Sequence, residues 1–153
     1  MPRGPQRHEA RLEAAAQAQS LADSFHALVA GARAKSGAKV TFLFQLPEAI
    51  EIPSPLKEAA CCICETALES VVRRADARRL TVELSFRHER LIVRIADDGD
   101  GFDANTPAAL RERANLARME ACARQAGGRL DVRSAPGAGT CISALFPLEA
   151  APQ

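Results

Sequence analysis

The chain has 153 residues, of which 47% are apolar and 25% charged, and a formal net charge of +1. That length suits one globular domain with a substantial core, and so small a charge gives no general pull toward nucleic acid or a membrane surface. No apolar run approaches a membrane span, and the N-terminal MPRGPQRHEARLE lacks the apolar stretch of a signal peptide, so the expected location is the cytoplasm.

Residues 8–35 are rich in Ala, Glu, Gln, Leu and Arg and predict a helix, with Leu21, Phe25, Leu28 and Val29 at helical spacing in its second half. SGAK (36–39) ends it, with Gly37 as a cap. VTFLFQL (40–46) is β-branched and aromatic and reads as a strand; PEAIEIPSP (47–55) reads as a loop. A second helix runs from Pro55 or Leu56 to about Ala75, opening with proline where a helix tolerates it. LTVELSFR (80–87) and RLIVRIAD (90–97) alternate apolar and polar residues around His88-Glu89, the pattern of a hairpin. A loop from Asp98 to about Pro107 leads into a third helix, roughly 108–126, closed by Gly127-Gly128. RLDVRS (129–134) and TCISALFP (140–147) form two more strands around the turn APGAG, and LEAAPQ is a tail. This order predicts an α/β fold, a mixed sheet covered by helices on one face.

The five cysteines are odd in number and show no disulfide spacing. In CCIC, Cys61 and Cys64 share a helical face while Cys62 points elsewhere, and no second pair of His or Cys lies nearby in sequence to complete a metal site. They read as small core residues. The arginine clusters VVRRADARR (71–79) and LRERANLARMEACAR (110–124) read as solvated helix faces or as anion sites.

Two glycine-bearing turns carry the functional signal. In DDGDG, Gly99 and Gly101 let the chain turn off its strand and leave the Asp97 carboxylate at the strand's end, able to accept a hydrogen bond from an exocyclic amine. APGAGT (135–140) adds Gly137, Gly139 and the Thr140 hydroxyl. Each alone also fits a plain turn, and the further acids of a calcium loop are missing.

In their order along the chain, ETALESVVRRA, DDGDGFD and GGRLDVRSAPGAGT resemble the ATP-binding catalytic domain of bacterial sensor histidine kinases. The flavour is that of the NarX/DesK-like kinases that pair with LuxR-type response regulators, within the larger family of gyrase, Hsp90 and MutL. The resemblance covers about residues 38–148. It implies a two-layer α/β sandwich of the Bergerat type, with ATP and Mg2+ held between the helical layer and a mobile lid. Asp97, Gly99, Gly101, Gly137, Gly139 and Thr140 match the residues that hold the base.

The phosphate end departs from that pattern. Where the relatives read Glu-Ala-Leu-Thr-Asn-Val-Val-Arg-His-Ala, this chain has Thr66 for the acid, Ser70 for the asparagine and Arg74 for the histidine. Ser70 is the candidate at magnesium, and Ser70, Glu65 and Glu69 are the candidate catalytic residues, although one helical position changes direction by about 100°, so neither glutamate simply replaces the lost acid. Arg73 and Arg74 are candidates for phosphate, Arg74 as a bidentate donor. The Gly-x-Gly-Leu of the lid corresponds to Arg113-Ala114-Asn115-Leu116, with Met119 retained. Without those glycines, Arg111, Arg113 or Arg118 would have to do part of the phosphate binding.

The acceptor histidine is expected on another segment or chain. His8-Glu9 has the right dipeptide, but a single helix separates it from the first strand; His26 lies beside an apolar helix face and His88 in a hairpin turn. The organisation expected is an N-terminal helix over 1–36, a possible remnant of a dimerisation segment and a possible homodimer contact, an ATP-binding domain over 37–148 and a tail over 149–153. Three functions follow: Mg-ATP-dependent phosphoryl transfer to a histidine, a degenerate interaction module acting on a kinase, response regulator or sigma-factor-type partner, and a serine kinase of the anti-sigma type.

Overall fold

The computed structural model describes residues 4–47, 50–74, 76–100 and 107–148. Among them, helices α1 (Gly4–Lys35), α2 (Ser54–Arg74) and α3 (Pro107–Gln125) alternate with strands β1 (Lys39–Gln45), β2 (Arg79–Arg87), β3 (Arg90–Asp97), β4 (Arg129–Ser134) and β5 (Thr140–Pro147). The strands form one sheet in the order β1-β2-β3-β5-β4. β1 runs parallel to β2, and α2 supplies the crossover that a parallel pair requires. The remaining pairs are antiparallel.

Alternation in the strands decides which face the helices cover. Leu91, Val93 and Ile95 of β3 and Ile142, Ala144 and Phe146 of β5 are buried, while Arg94 and Ser143 between them turn to the uncovered face. The layers are those of the mixed α/β sandwich expected from the sequence. α2 is the central helix: Leu56, Ala59, Ala60, Ile63, Ala67 and Leu68 are buried, and it contacts α1, α3, β3 and β5. Proline at its second position leaves no donor unmet, because first-turn amides have no helical acceptor, and the Leu56 and Lys57 amides donate to Pro53 instead.

The second half of α1 belongs to the same core. Ala18, Leu21, Ala22, Phe25, Val29 and Ala32 are buried at the spacing of one helix face. Phe25 also stacks on Phe42 of β1, with ring centroids 6.1 Å apart. His26 meets the Phe42 ring edge-on at 4.8 Å, a structural contact as its position beside the apolar face implies. At the helix end Arg33 donates to the Val40 carbonyl through Nη2 at 3.0 Å, fixing where β1 begins. In the β2–β3 turn, His88 and Glu89 both take left-handed φ, 52° and 59°, the geometry that lets two residues join twisted antiparallel strands.

Each fully buried side chain of this size contributes about 1.5–3 kcal/mol of transfer free energy. Phe25→Ala is expected to cost about 3–5 kcal/mol in chemical denaturation, including the cavity it leaves. Leu12→Ala, at a position 57% exposed on the same helix, is expected to stay within about 0.5 kcal/mol. A Phe25→Ala cost as small as that of Leu12→Ala would separate α1 from the core.

Candidate functional site

The end of β3 and the turn between β4 and β5 meet because their strands pair in register, with Asp97 directly opposite Thr140. The turn closes over the strand end because residue 139 is glycine. Gly139 has φ +74°, and a Cβ there would stand 2.2 Å from the Asp97 carbonyl oxygen. Gly99 is close-packed for a different reason, without a left-handed φ: a Cβ there would lie 2.5 Å from the side-chain Oδ1 of Asp76. The Gly137 amide donates to the Asp100 carbonyl at 2.6 Å, joining the two turns. Gly101 lies outside the described residues. Around this junction Asp97, Ser134, Ala138, Gly139 and Thr140 line an open concavity of about 450 Å³.

The second aspartate of DDGDG has a structural task that spacing alone does not reveal. Asp98 Oδ1 accepts the amides of Arg78 and Arg79, both at 2.8 Å, and so ties the start of β2 to the loop. Those amides, the Arg79 one foremost, hold its carboxyl below the usual range. Asp76 braces the same loop, its Oδ2 accepting the Asp100 amide at 3.0 Å.

Asp97 is the buried acid of the site, its side chain only 2% exposed. Its Oδ1 accepts the Gly99 amide at 2.9 Å. Its Oδ2 accepts from Arg74 Nη2 at 3.1 Å, and Arg74 Nη1 reaches Thr140 Oγ1 at 3.5 Å. Thr140 in turn shares a 2.8 Å hydrogen bond with the Ser134 hydroxyl, a partner the sequence motifs do not point to. The Arg74 guanidinium therefore lies across the two side chains that resemble the base-binding pair. Burial pushes the Asp97 carboxyl above its ordinary value, against the lowering effects of the Gly99 amide and the Arg74 charge. The pairing leaves a remainder: Arg74 Nε and Asp76 Oδ1 are buried without a hydrogen-bond partner.

On α2, residues four apart share a face, so Thr66, Ser70 and Arg74 point the same way. Thr66 and Ser70 are buried, and Ser70 Oγ accepts from Asn115 Nδ2 of α3 at 3.0 Å. The two residues that the resemblance sets at an asparagine and a lid-glycine position are thus bonded to each other. Glu65, Glu69 and Arg73 lie one position round, in a groove of about 360 Å³ between α1 and α2 that Leu28, Gly31 and Lys35 complete. They are not brought together with Asp97, Thr140 or Ser70. Arg111, Arg113 and Arg118 are exposed on α3. The phosphate role expected of Arg74 also meets a different placement, because its guanidinium is engaged by Asp97 and lies near Thr140.

Comparison with known proteins places this geometry. Residues 59–150 match the model of the histidine kinase-, DNA gyrase B- and HSP90-like ATPases. The chain belongs to that family. It is 30% identical over 101 residues to the sensor protein VraS of Staphylococcus saprophyticus, an alignment covering 66% of this chain and 28% of the relative. To VraS of Staphylococcus aureus it is 29% identical over 98 residues, again covering 28% of the relative. The fold resembles the histidine kinase domain of the blue-light activated histidine kinase EL346 of Erythrobacter litoralis, with TM-score 0.67, 16% identity and coverage of 86% of this chain and 60% of that one. It also resembles the Acinetobacter baumannii histidine kinase AdeS, with TM-score 0.58, 12% identity and coverage of 86% and 64%. The chain spans 28% of the length of the curated relatives it matches. Among the described residues no helix is long and apolar enough to cross a membrane.

The nucleotide and metal implied by an ATPase family can be tested against these side chains. The turn architecture fits a base, with Asp97, Gly139 and Thr140 at one junction. The side-chain arrangement does not: both Asp97 oxygens already accept, one of them from a cation. For magnesium the donors are poor. Among the described residues no three acids, histidines or cysteines cluster, and the Ser70 hydroxyl is buried against Asn115. Neither group fits the site as these side chains are arranged.

The Asp97 carboxyl makes this arrangement measurable by titration. A carboxyl raised by folding favours the folded state at low pH; that contribution is complete below its unfolded pKa and lost as pH rises through its folded one. Arg74→Met removes the opposing charge while keeping an uncharged side chain over the carboxyl, so the Asp97 transition is expected to move further up in a carboxyl NMR titration. A transition unchanged or moved down would mean that Arg74 does not face Asp97 in solution.

Proposed function

We propose that this chain is a histidine kinase-type ATPase domain that has lost phosphoryl transfer and works as an interaction module in bacterial two-component-type signalling. The observation that carries the reading is the Arg74 guanidinium seated on Asp97 and near Thr140, where a base would otherwise find its acceptor. The Ser70–Asn115 bond supports it, because it joins two altered motif positions across α2 and α3. The module acts in the cytoplasm, on a histidine kinase, response regulator or sigma-factor-type partner, through its helical layer and the exposed side of α1.

A second reading keeps the domain as the Mg-ATP-dependent catalytic part of a sensor kinase, delivering the γ-phosphoryl group to a histidine on another segment or chain, with a LuxR-type response regulator downstream. The coincidence of Asp97, Gly99, Gly137, Gly139 and Thr140 at one junction favours it. Arg74 would then have to leave the pocket before nucleotide enters.

Calorimetry with ATP, with and without magnesium, separates the two. The wild-type chain is expected to give no binding at millimolar ATP, and Arg74→Ala to gain affinity of about tenfold or more, roughly 1.4 kcal/mol, without magnesium dependence. Magnesium-dependent binding by the wild type that Asp97→Asn abolishes would overturn the degenerate reading and support the kinase.

A further inference from the structure

A second side-chain pair joins α2 and α3, away from the base end. Cys62 lies two turns before Ser70 on α2, and Cys122 two turns after Asn115 on α3. Their sulfurs stand 3.1 Å apart. The two contacts are therefore successive rungs between antiparallel helices, one between sulfurs and one between Ser70 and Asn115. Both cysteines are free thiols and both are partly exposed. A disulfide bond is about 2.05 Å long, so the sulfurs need to close by about 1 Å.

The other cysteines are differently placed. Cys64 is fully buried. Cys61 faces Ser24 and Lys57 on the α1 side. Cys141, on the uncovered face of the sheet, accepts from Arg94 Nε at 3.2 Å.

We propose that Cys62 and Cys122 are a reversible oxidation site, whose disulfide clamps α2 to α3 and fixes the separation of the two helices that carry Ser70 and Asn115. The oxidant is a small-molecule disulfide of the glutathione class. The thiolate of one cysteine attacks a sulfur of the oxidant, forming a mixed disulfide and expelling one thiolate. The second cysteine, deprotonated, attacks the protein sulfur of that mixed disulfide, forms the Cys62–Cys122 bond and expels the other thiolate. The two protein thiols give up two electrons and two protons, and the oxidant leaves as two thiols. Burial, and then the Cys62 contact, raise the Cys122 thiol above its ordinary value, with the Arg118 guanidinium opposing them. Exchange is accordingly faster at mildly alkaline pH. The inference rests on the packing of α2 against α3, and it holds whether or not the domain binds nucleotide.

The test equilibrates the full chain in buffers of reduced and oxidised glutathione at mildly alkaline pH, blocks free thiols and maps peptides by mass spectrometry. A Cys62–Cys122 cross-linked peptide is expected, with an intact mass lower by two hydrogens, reversal by dithiothreitol and a higher Tm in the oxidised form. Cys62→Ser and Cys122→Ser, each with an unchanged circular dichroism spectrum, should lose the cross-link while Cys61, Cys64 and Cys141 stay free. Should either variant misfold, the wild-type peptide map still decides. Both thiols remaining blockable in fully oxidised glutathione would overturn the proposal. So would a stable glutathione adduct with no cross-link, or a cross-link through Cys61 instead.

Discussion

The Asp97 carboxylate is almost wholly removed from water, and a carboxylate so placed has to be met by donors or by a positive charge. The fold commits it to that place. Its strand pairs on both sides, Gly139 folds the β4–β5 turn down onto its backbone, and the loop after it is braced by Asp98 and Asp76. None of these features depends on what neutralises the side chain. In this chain the neutralising group comes from α2: the Arg74 guanidinium, itself only 16% exposed. An arginine stays charged in a protein, so the partner is permanent as long as the side chain remains seated. The carboxyl nevertheless stays above its ordinary value, because desolvation together with the nearby Asp76 and Asp98 charges outweighs the Gly99 amide and the Arg74 charge.

The departures from the family pattern are linked to the rest of the site rather than scattered. Arg74 reaches Asp97, the acid that the resemblance assigns to the base, and Ser70 reaches Asn115, which the same resemblance sets at a lid-glycine position. Thr66, on the same face, is buried. A short polar residue at 70 leaves room for the asparagine of α3, and a long cation at 74 spans the gap to β3. The result is a helical layer whose inner polar groups bond across to α3 and the sheet. That is the physical content of the interaction-module reading: binding energy that a nucleotide would compete for is already used within the chain.

The elements themselves were legible because each has a local cause. The β2–β3 hairpin was visible in its alternating strands, the opening of α2 in Pro55, and the end of α3 in Gly127-Gly128; the observed boundaries lie within a few residues of those expected. The junction of Asp97 with Thr140 was legible through resemblance, since both turns keep their residues. The pairings that define the site were not. Arg74 finds Asp97 across 23 residues, Asn115 finds Ser70 across 45, and Cys122 finds Cys62 across 60. No local pattern encodes such contacts, which follow from how α2 packs against β3 and α3. Glu65 and Glu69 illustrate the same limit from the other side. As acids near the right motif they were natural candidates, yet a single helical step carries them to the α1 groove.

The direct contact of Arg74 with Asp97, on which the arrangement of the site turns, implies that the two side chains are energetically coupled. A double-mutant cycle of Arg74→Ala and Asp97→Ala, read by chemical denaturation, measures that coupling without any ligand. An interaction energy of about 1–3 kcal/mol is expected, as for side chains in direct contact. Effects that add to within about 0.5 kcal/mol would place Arg74 elsewhere and contradict that contact.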